Sequence, residues 1–267
     1  LFPYTTLFRS PLSVYPEASK RDDRKRHVLP VRPKWFGCAC CPPNLARLLS
    51  SLALYAFSVD GAFLNIHLYI QGEMLLDVGG QEVSLKVTTD YPKDGRVRLG
   101  LSAGAYSLRL RLPGWCGAYT LTRDGQPARH EVKDGFLVLS GPFDDCELEL
   151  NLEMPPTRVY ANAAVREEMG RVAVQRGPMV YCLEEKDNSP GLHQLCLPRG
   201  AELEYAEDKR LPDGQAIRAR GQRMVSRDLD LYSARPPVAE EAELTFIPYY
   251  AWANRGENEM RVWVMEG

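Results

Sequence analysis

The sequence has almost no excess charge, few histidines and no long apolar run, and each shortage removes a class of function. Its 33 lysines and arginines against 35 aspartates and glutamates leave a net charge of -2. That balance gives no electrostatic case for nucleic acid or an anionic membrane as partner. No apolar stretch approaches the length that spans a bilayer, and no segment recurs at a fixed period. There is no initiator methionine. Leu1-Phe2-Pro3-Tyr4-Thr5-Thr6-Leu7-Phe8-Arg9-Ser10 reads as translated adapter sequence, so residues 1–10 are expected to be non-native. Neither a secretory signal nor a natural start is visible, which leaves export open.

What is present is an ordinary globular composition: 267 residues, 45% of them hydrophobic, enough for one large domain or several small ones. The stretch around which the rest is organised is Trp35-Phe36-Gly37-Cys38-Ala39-Cys40-Cys41-Pro42-Pro43-Asn44. Three cysteines fall within four positions ahead of a helix. Pro42 and Pro43 lack N–H donors and suit a first turn, and Leu45, Leu48, Leu49 and Leu52 recur at i, i+3, i+4 and i+7. Ala46, Arg47 and Ala53 add helix propensity, and Val59-Asp60-Gly61 is expected to end the helix in a turn. A helix N-terminus favours thiolate over thiol, which suits nucleophilic or metal chemistry.

Residues 11–34 carry proline and charge, including Lys20-Arg21-Asp22-Asp23-Arg24-Lys25-Arg26-His27, without periodicity, and read as a solvated loop. They offer the helix no apolar partner. An amphipathic helix needs one, so this is expected to be the last helix of a larger helical domain.

Beyond Gly61 the period becomes two. Val83, Leu85 and Val87 share one strand face. Leu108, Leu110 and Leu112 alternate with Arg109 and Arg111, and Leu148, Leu150 and Leu152 with Glu147, Glu149 and Glu153. Asp94-Gly95, Asp124-Gly125 and Asp134-Gly135 lie between such runs, where a primed hairpin turn needs positive φ. Strands at close spacing with no helix between them argue for a β-sandwich. Met154-Pro155-Pro156 breaks the pattern, placing a boundary near residue 157, and Arg171 to Tyr181 begins a second all-β series. Residues 184–242 are polar and read as long loops between short strands.

Seven cysteines are an odd count, clustered unlike a disulfide framework. Cys116, Cys146, Cys182 and Cys196 stand alone and read as small buried hydrophobes. Cys38, Cys40 and Cys41 are compatible with a metal site, a catalytic thiol without metal, or structural thiols. Four-coordinate zinc needs ligands from elsewhere, and the downstream histidines, His67, His130 and His193, are isolated. His67 alternates with Asn65 and Tyr69 on the polar face of a strand.

Trp35 to Arg47, together with Gln175-Arg176-Gly177-Pro178 and Pro248-Tyr249-Tyr250-Ala251-Trp252-Ala253-Asn254-Arg255, resembles glycoside hydrolase family 127, the β-L-arabinofuranosidases and their relatives. The resemblance implies a mainly β chain: the end of an (α/α)6 catalytic barrel in residues 11–57, then β-sandwich domains in residues 58–157 and 158–267. It implies a retaining glycosidase acting on arabinofuranose-containing glycans, with a zinc-bound cysteine as nucleophile. Carried over by motif, Cys40 is that nucleophile and a zinc ligand, Cys41 is a second zinc ligand, and Cys38 has no assigned role. The other ligands, a glutamate and a third cysteine, and the general acid/base glutamate belong to the upstream barrel, so this fragment is expected to be inactive alone. No nucleic acid or membrane partner is expected, a homodimer through a sandwich domain is left open, and thiolate ligands favour a reducing interior. Two other readings stand beside it. One is a carbohydrate-binding module with Trp115, Tyr249, Tyr250 and Trp252 as stacking platforms. The other is a structural zinc-thiolate protein with a complete four-ligand site.

Overall fold

The computed structural model describes residues 12–17, 41–211, 214–228 and 230–267. It divides into two compact units, one holding residues 41–154 and the other joining residues 12–17 to Pro155–Gly267. The chain is mainly β, as expected. Within residues 11–34, read as a loop, Ser13–Val14 form a short strand, β1.

The first unit begins with helix α1 (Cys41–Ser50) and a single turn, α2 (Ala53–Ala56). Pro42 and Pro43 fall in the first turn. The helix is shorter than its leucine period suggests: the Ser51 N–H still reaches the Arg47 carbonyl at 3.2 Å, but the Leu52, Leu54 and Tyr55 N–H groups bond carbonyls three residues back, and the Ser50 and Ser51 hydroxyls also donate to the Arg47 carbonyl at 2.9 Å. Val59-Asp60-Gly61 therefore does not terminate the helix. Phe57–Asp60 is already strand β2, and Gly61, at φ +57°, turns it into β3 (Phe63–Ile66).

The following strands are β4 (Gly72–Val78), β5 (Gln81–Thr89), β6 (Arg96–Leu101), β7 (Ser107–Arg111), β8 (Tyr119–Arg123), β9 (Gln126–Pro127), β10 (Glu131–Lys133), β11 (Phe136–Leu139) and β12 (Cys146–Leu152). They form two sheets, ordered β10-β11-β7-β3-β2 and β4-β5-β6-β12-β8-β9. All pairings are antiparallel except β3 with β7. The alternation seen in the sequence is the inside and outside of this sandwich. Val83, Leu85, Val87, Leu108, Leu110, Leu148, Leu150 and Leu152 share one buried core, and Leu112 packs partly buried against it. Asp124-Gly125 and Asp134-Gly135 make the expected primed turns, with φ of +49°, +78°, +50° and +77°. Asp94-Gly95 does not. Residues 90–94 form a wider turn, and the Gly95 carbonyl accepts the Leu152 N–H at 3.0 Å.

The second unit is built differently, from one ten-stranded sheet. Besides β1 it contains β13 (Pro156–Val159), β14 (Arg171–Arg176), β15 (Met179–Glu184), helix α3 (Glu185–Asn188), β16 (Leu195–Leu197), β17 (Glu204–Glu207), β18 (Gln215–Val225), β19 (Val238–Pro248), β20 (Met260–Arg261) and β21 (Val264–Glu266). The strands β14, β15, β19, β18, β16 and β21 pair in a ring. Val172, Val174, Tyr181, Leu183 and Phe246 point to one apolar cluster and Ala173, Cys182 and Ile247 to another. Burial on both faces explains why these strands read as continuous apolar runs. The Gln175-Arg176-Gly177-Pro178 motif is the β14–β15 hairpin, with Gly177 at φ +56° in the first loop position. Residues 184–242 contain more regular structure than expected: β18 and β19 are eleven residues each and pair as a long hairpin.

Candidate functional site

Of the cysteines expected to carry chemistry, Cys38 and Cys40 lie outside the described residues, and Cys41 is described only as the first residue of α1. The helix bearing it has no acidic residue in its first turn, so nothing there offsets the positive pole that would meet an anion. Asn44 and Arg47, one turn apart, are joined by a 3.0 Å hydrogen bond from Arg47 Nη2 to Asn44 Oδ1. Leu45, Leu48 and Leu49 are exposed on the same helix, as are Leu54 and Tyr55 on α2.

The isolated cysteines behave as their surroundings dictate. Cys182 and Cys196 are buried, and Cys116 and Cys146 are half-buried. Burial pushes the thiols of Cys116, Cys146 and Cys196 above the usual range. Cys116 donates to the Ala118 carbonyl at 3.0 Å. Two of the histidines are satisfied locally. His67 Nε2 lies 2.8 Å from Ser58 Oγ, and His130 is held between Tyr119 Oη and the Ala128 carbonyl at 2.9 and 2.8 Å. His193 is exposed. Among the described residues no three His, Cys, Asp or Glu side chains converge to hold a metal, so the complete zinc-thiolate site of the structural alternative is not found there.

The proposed stacking platform does not assemble either. Trp252 is 3% exposed, inside the second unit's core, and Tyr249 packs on it. Trp115 is half-buried and stacks on Tyr91. Of the four aromatics, only Tyr250 is exposed.

One constellation escaped the sequence reading. Glu184, at the end of β15, is completely buried. Its Oε2 accepts Arg255 Nε at 3.1 Å, and Arg255 Nη1 reaches Asp187 Oδ1 at 2.9 Å, while Arg255 Nη2 contacts both carboxylates. Glu184 Oε1 accepts the Ala253 N–H at 2.7 Å, holding Ala253 at φ +63°. This is the structural content of the closing Trp252-Ala253-Asn254-Arg255 motif. The two acids keep Arg255 firmly protonated, and its guanidinium occupies oxygens of both carboxylates. A cleft of about 440 Å³ beside it is lined by Glu185, Lys186, Asp187, Ser189, Glu257 and Asn258. The only sequence signal was that Arg255 closes a motif and acids follow β15.

Comparison with known proteins covers both units. Residues 63–155 match the model of the β-L-arabinofuranosidase GH127 middle domain, and residues 156–265 that of the glycoside hydrolase family 127 C-terminal domain. The chain is 38% identical over 272 aligned positions to the non-reducing end β-L-arabinofuranosidase of Bifidobacterium longum subsp. longum, covering 94% of this chain and 40% of that protein. A GH127 β-L-arabinofuranosidase from Geobacillus stearothermophilus T6 superposes with a TM-score of 0.90 at 42% identity, covering 96% of this chain and 42% of that one. A second solved GH127 β-arabinofuranosidase superposes at 0.80 with 33% identity, covering 89% of this chain and 40% of that one. The chain thus spans about two fifths of the length of each of these relatives.

Proposed function

This chain belongs to glycoside hydrolase family 127, and from that premise we propose that it forms the C-terminal part of a retaining glycosidase that releases β-L-arabinofuranose from glycans or glycoconjugates. The observation that carries the reading is the joint match of both units, preceded by a helix that starts at Cys41. The exposed leucines of α1 support a place for that helix in a larger helical assembly.

Cys40 is assigned as nucleophile. Its sulfur attacks the anomeric carbon as the bond to the aglycone oxygen breaks, and a carboxylic acid on the opposite face of the sugar gives that oxygen its proton. Water then attacks the same carbon, returns a proton to the carboxylate, and displaces the sulfur, so configuration is retained over two inversions. The acid/base glutamate is assigned to a segment outside this chain. Cys40 and Cys41 would be zinc ligands. The donor set fits, since zinc accepts thiolates and the first turn of α1 has no acid to oppose an anion. Zinc, when bound, supplies positive charge that favours thiolate over thiol.

The test is Cys40→Ser in an enzyme spanning the full length of the relatives. Turnover of an aryl β-L-arabinofuranoside is expected to be lost while the sugar still binds, and undiminished turnover removes Cys40 as nucleophile. This 267-residue chain alone is expected to hydrolyse nothing, and measurable hydrolysis by it would overturn the assignment of the acid/base to another segment.

A further inference from the structure

The C-terminal unit is completed by residues from the other end of the chain. Ser13 pairs with Arg261 and Val14 with Met260, antiparallel, at the outer edge of the ten-stranded sheet. The Val262 N–H continues the ladder by donating to the Leu12 carbonyl at 2.9 Å. Of this segment only Val14 turns fully inward: it is 1% exposed, against Cys182, Ile247, Trp252, Met260 and Val262. Leu12 and Ser13 are exposed, and Tyr15 lies half-buried with the Arg261 guanidinium 5.8 Å from its ring centre. On its inner side β20 is already paired with β15. The outer edge of β20 and the apolar hole beside it are therefore filled by β1.

We propose that the outer edge of β20 is a strand-accepting site, that its ligand class is an extended peptide carrying one β-branched apolar anchor, and that residues 12–15 occupy it in cis. Main-chain hydrogen bonds supply the hold and the Val14 hole supplies the selectivity, as in other edge-strand additions. The attachment is small beside the nine-residue β18–β19 ladder, so it opens without unfolding the sheet. A separate peptide of the same sequence then competes for it. This site stands whether or not Cys40 is a nucleophile, because every contact that defines it lies within the second unit.

Amide hydrogen exchange on the full chain tests it. Val14→Asp is expected to lower protection of the Val262 amide at least about tenfold while the β18–β19 amides keep theirs. A synthetic peptide spanning residues 11–17 added in excess restores it, and the same peptide with aspartate at the anchor does not. Retained protection in the variant, or failure of the native peptide to restore it, overturns the proposal. Should Val14→Asp unfold the whole unit, the unsubstituted chain carrying labelled Val14 methyl groups is titrated with the native peptide. Displacement moves those methyl signals to solvent-exposed positions, and unmoved signals overturn the proposal. Val262 protection that rises with protein concentration would show that a second copy supplies the strand, which overturns the assignment in cis.

Discussion

Arg255 closes over Glu184, donating from Nε to Oε2 at 3.1 Å and from Nη2 to the same oxygen. Glu184 has no exposed surface, and its other oxygen holds the Ala253 N–H. The last motif of the chain is thus tied to the end of β15 by a carboxylate that water cannot reach.

Removing one partner of such a pair is expected to be costly, since the remaining charge stays buried. Arg255→Ala should destabilise the second unit by about 3–5 kcal/mol, read as a lower urea midpoint at unchanged slope. Arg255→Lys keeps the charge but loses the fork that spans Glu184 and Asp187, and should fall between the two. Equal midpoints for all three chains would show that the clamp contributes nothing.

Gly95 illustrates a glycine required by close approach rather than by φ. A Cβ there would lie 1.9 Å from the Leu152 carbonyl oxygen, a backbone atom of β12 that cannot swing away. Gly95→Ala is therefore expected to destabilise the first unit by at least about 2 kcal/mol. The neighbouring Asp94→Ala loses only the 2.9 Å bond from the Arg96 N–H, about 1 kcal/mol. Thermal unfolding of both variants separates the effects, and equal shifts would refute the contact.

The misreading of Asp94-Gly95 shows where sequence pattern runs out. Leu108 and Leu110, or Leu148 to Leu152, announce a half-buried strand because one face is apolar over several residues. Asp-Gly announces positive φ, yet at Gly95 the glycine serves a neighbour from a distant strand, which local sequence does not encode. β18 was hidden for another reason: its inward positions include Ala219 and Gly221, too small to read as a core, between arginines. Two-residue β1 has no period to detect, and its partner β20 lies at the opposite end of the chain. Of the candidate site, the diproline marked the start of α1 at once. The Glu184–Arg255 clamp was not legible, since nothing local links acids after one strand to an arginine after another.

Burial gives the first unit an alkaline weakness. Tyr106 is 2% exposed and donates to the Ser102 carbonyl at 2.9 Å, and burial pushes its phenol up to about 12. Its folded value is raised, so the stability it contributes is complete below the unfolded value near 10 and is lost as pH rises through about 12. Tyr106→Phe should cost about 1 kcal/mol at neutral pH, where the hydrogen bond is lost. The deficit should shrink between about pH 10 and 12, because phenylalanine has no proton to release. Tyr69, also raised by burial, leaves part of the alkaline slope in the variant. Denaturant curves across this range decide it, and a deficit that stays constant with pH would be inconsistent with the shift.

The seven thiols are expected to divide into two kinetic classes. Cys116, Cys146 and Cys196 are raised by burial, so at pH 7 they carry little thiolate, and Cys182 is fully buried out of a reagent's reach; all four should react with a disulfide reagent slowly. Cys38, Cys40 and Cys41 form the sequence cluster that runs into the first residue of α1; if the helix N-terminus favours thiolate there, as the sequence leads one to expect, they should react at least about tenfold faster. Cys40→Ser with Cys41→Ser should remove two of the three fast equivalents and leave the slow class unchanged. If the pair binds zinc, loading the metal should suppress the fast class and a chelator should restore it, since coordinated sulfur is withheld from the reagent. Seven thiols reacting at one rate in the folded chain would deny the cluster any special reactivity, and with it the physical basis for Cys40 as nucleophile.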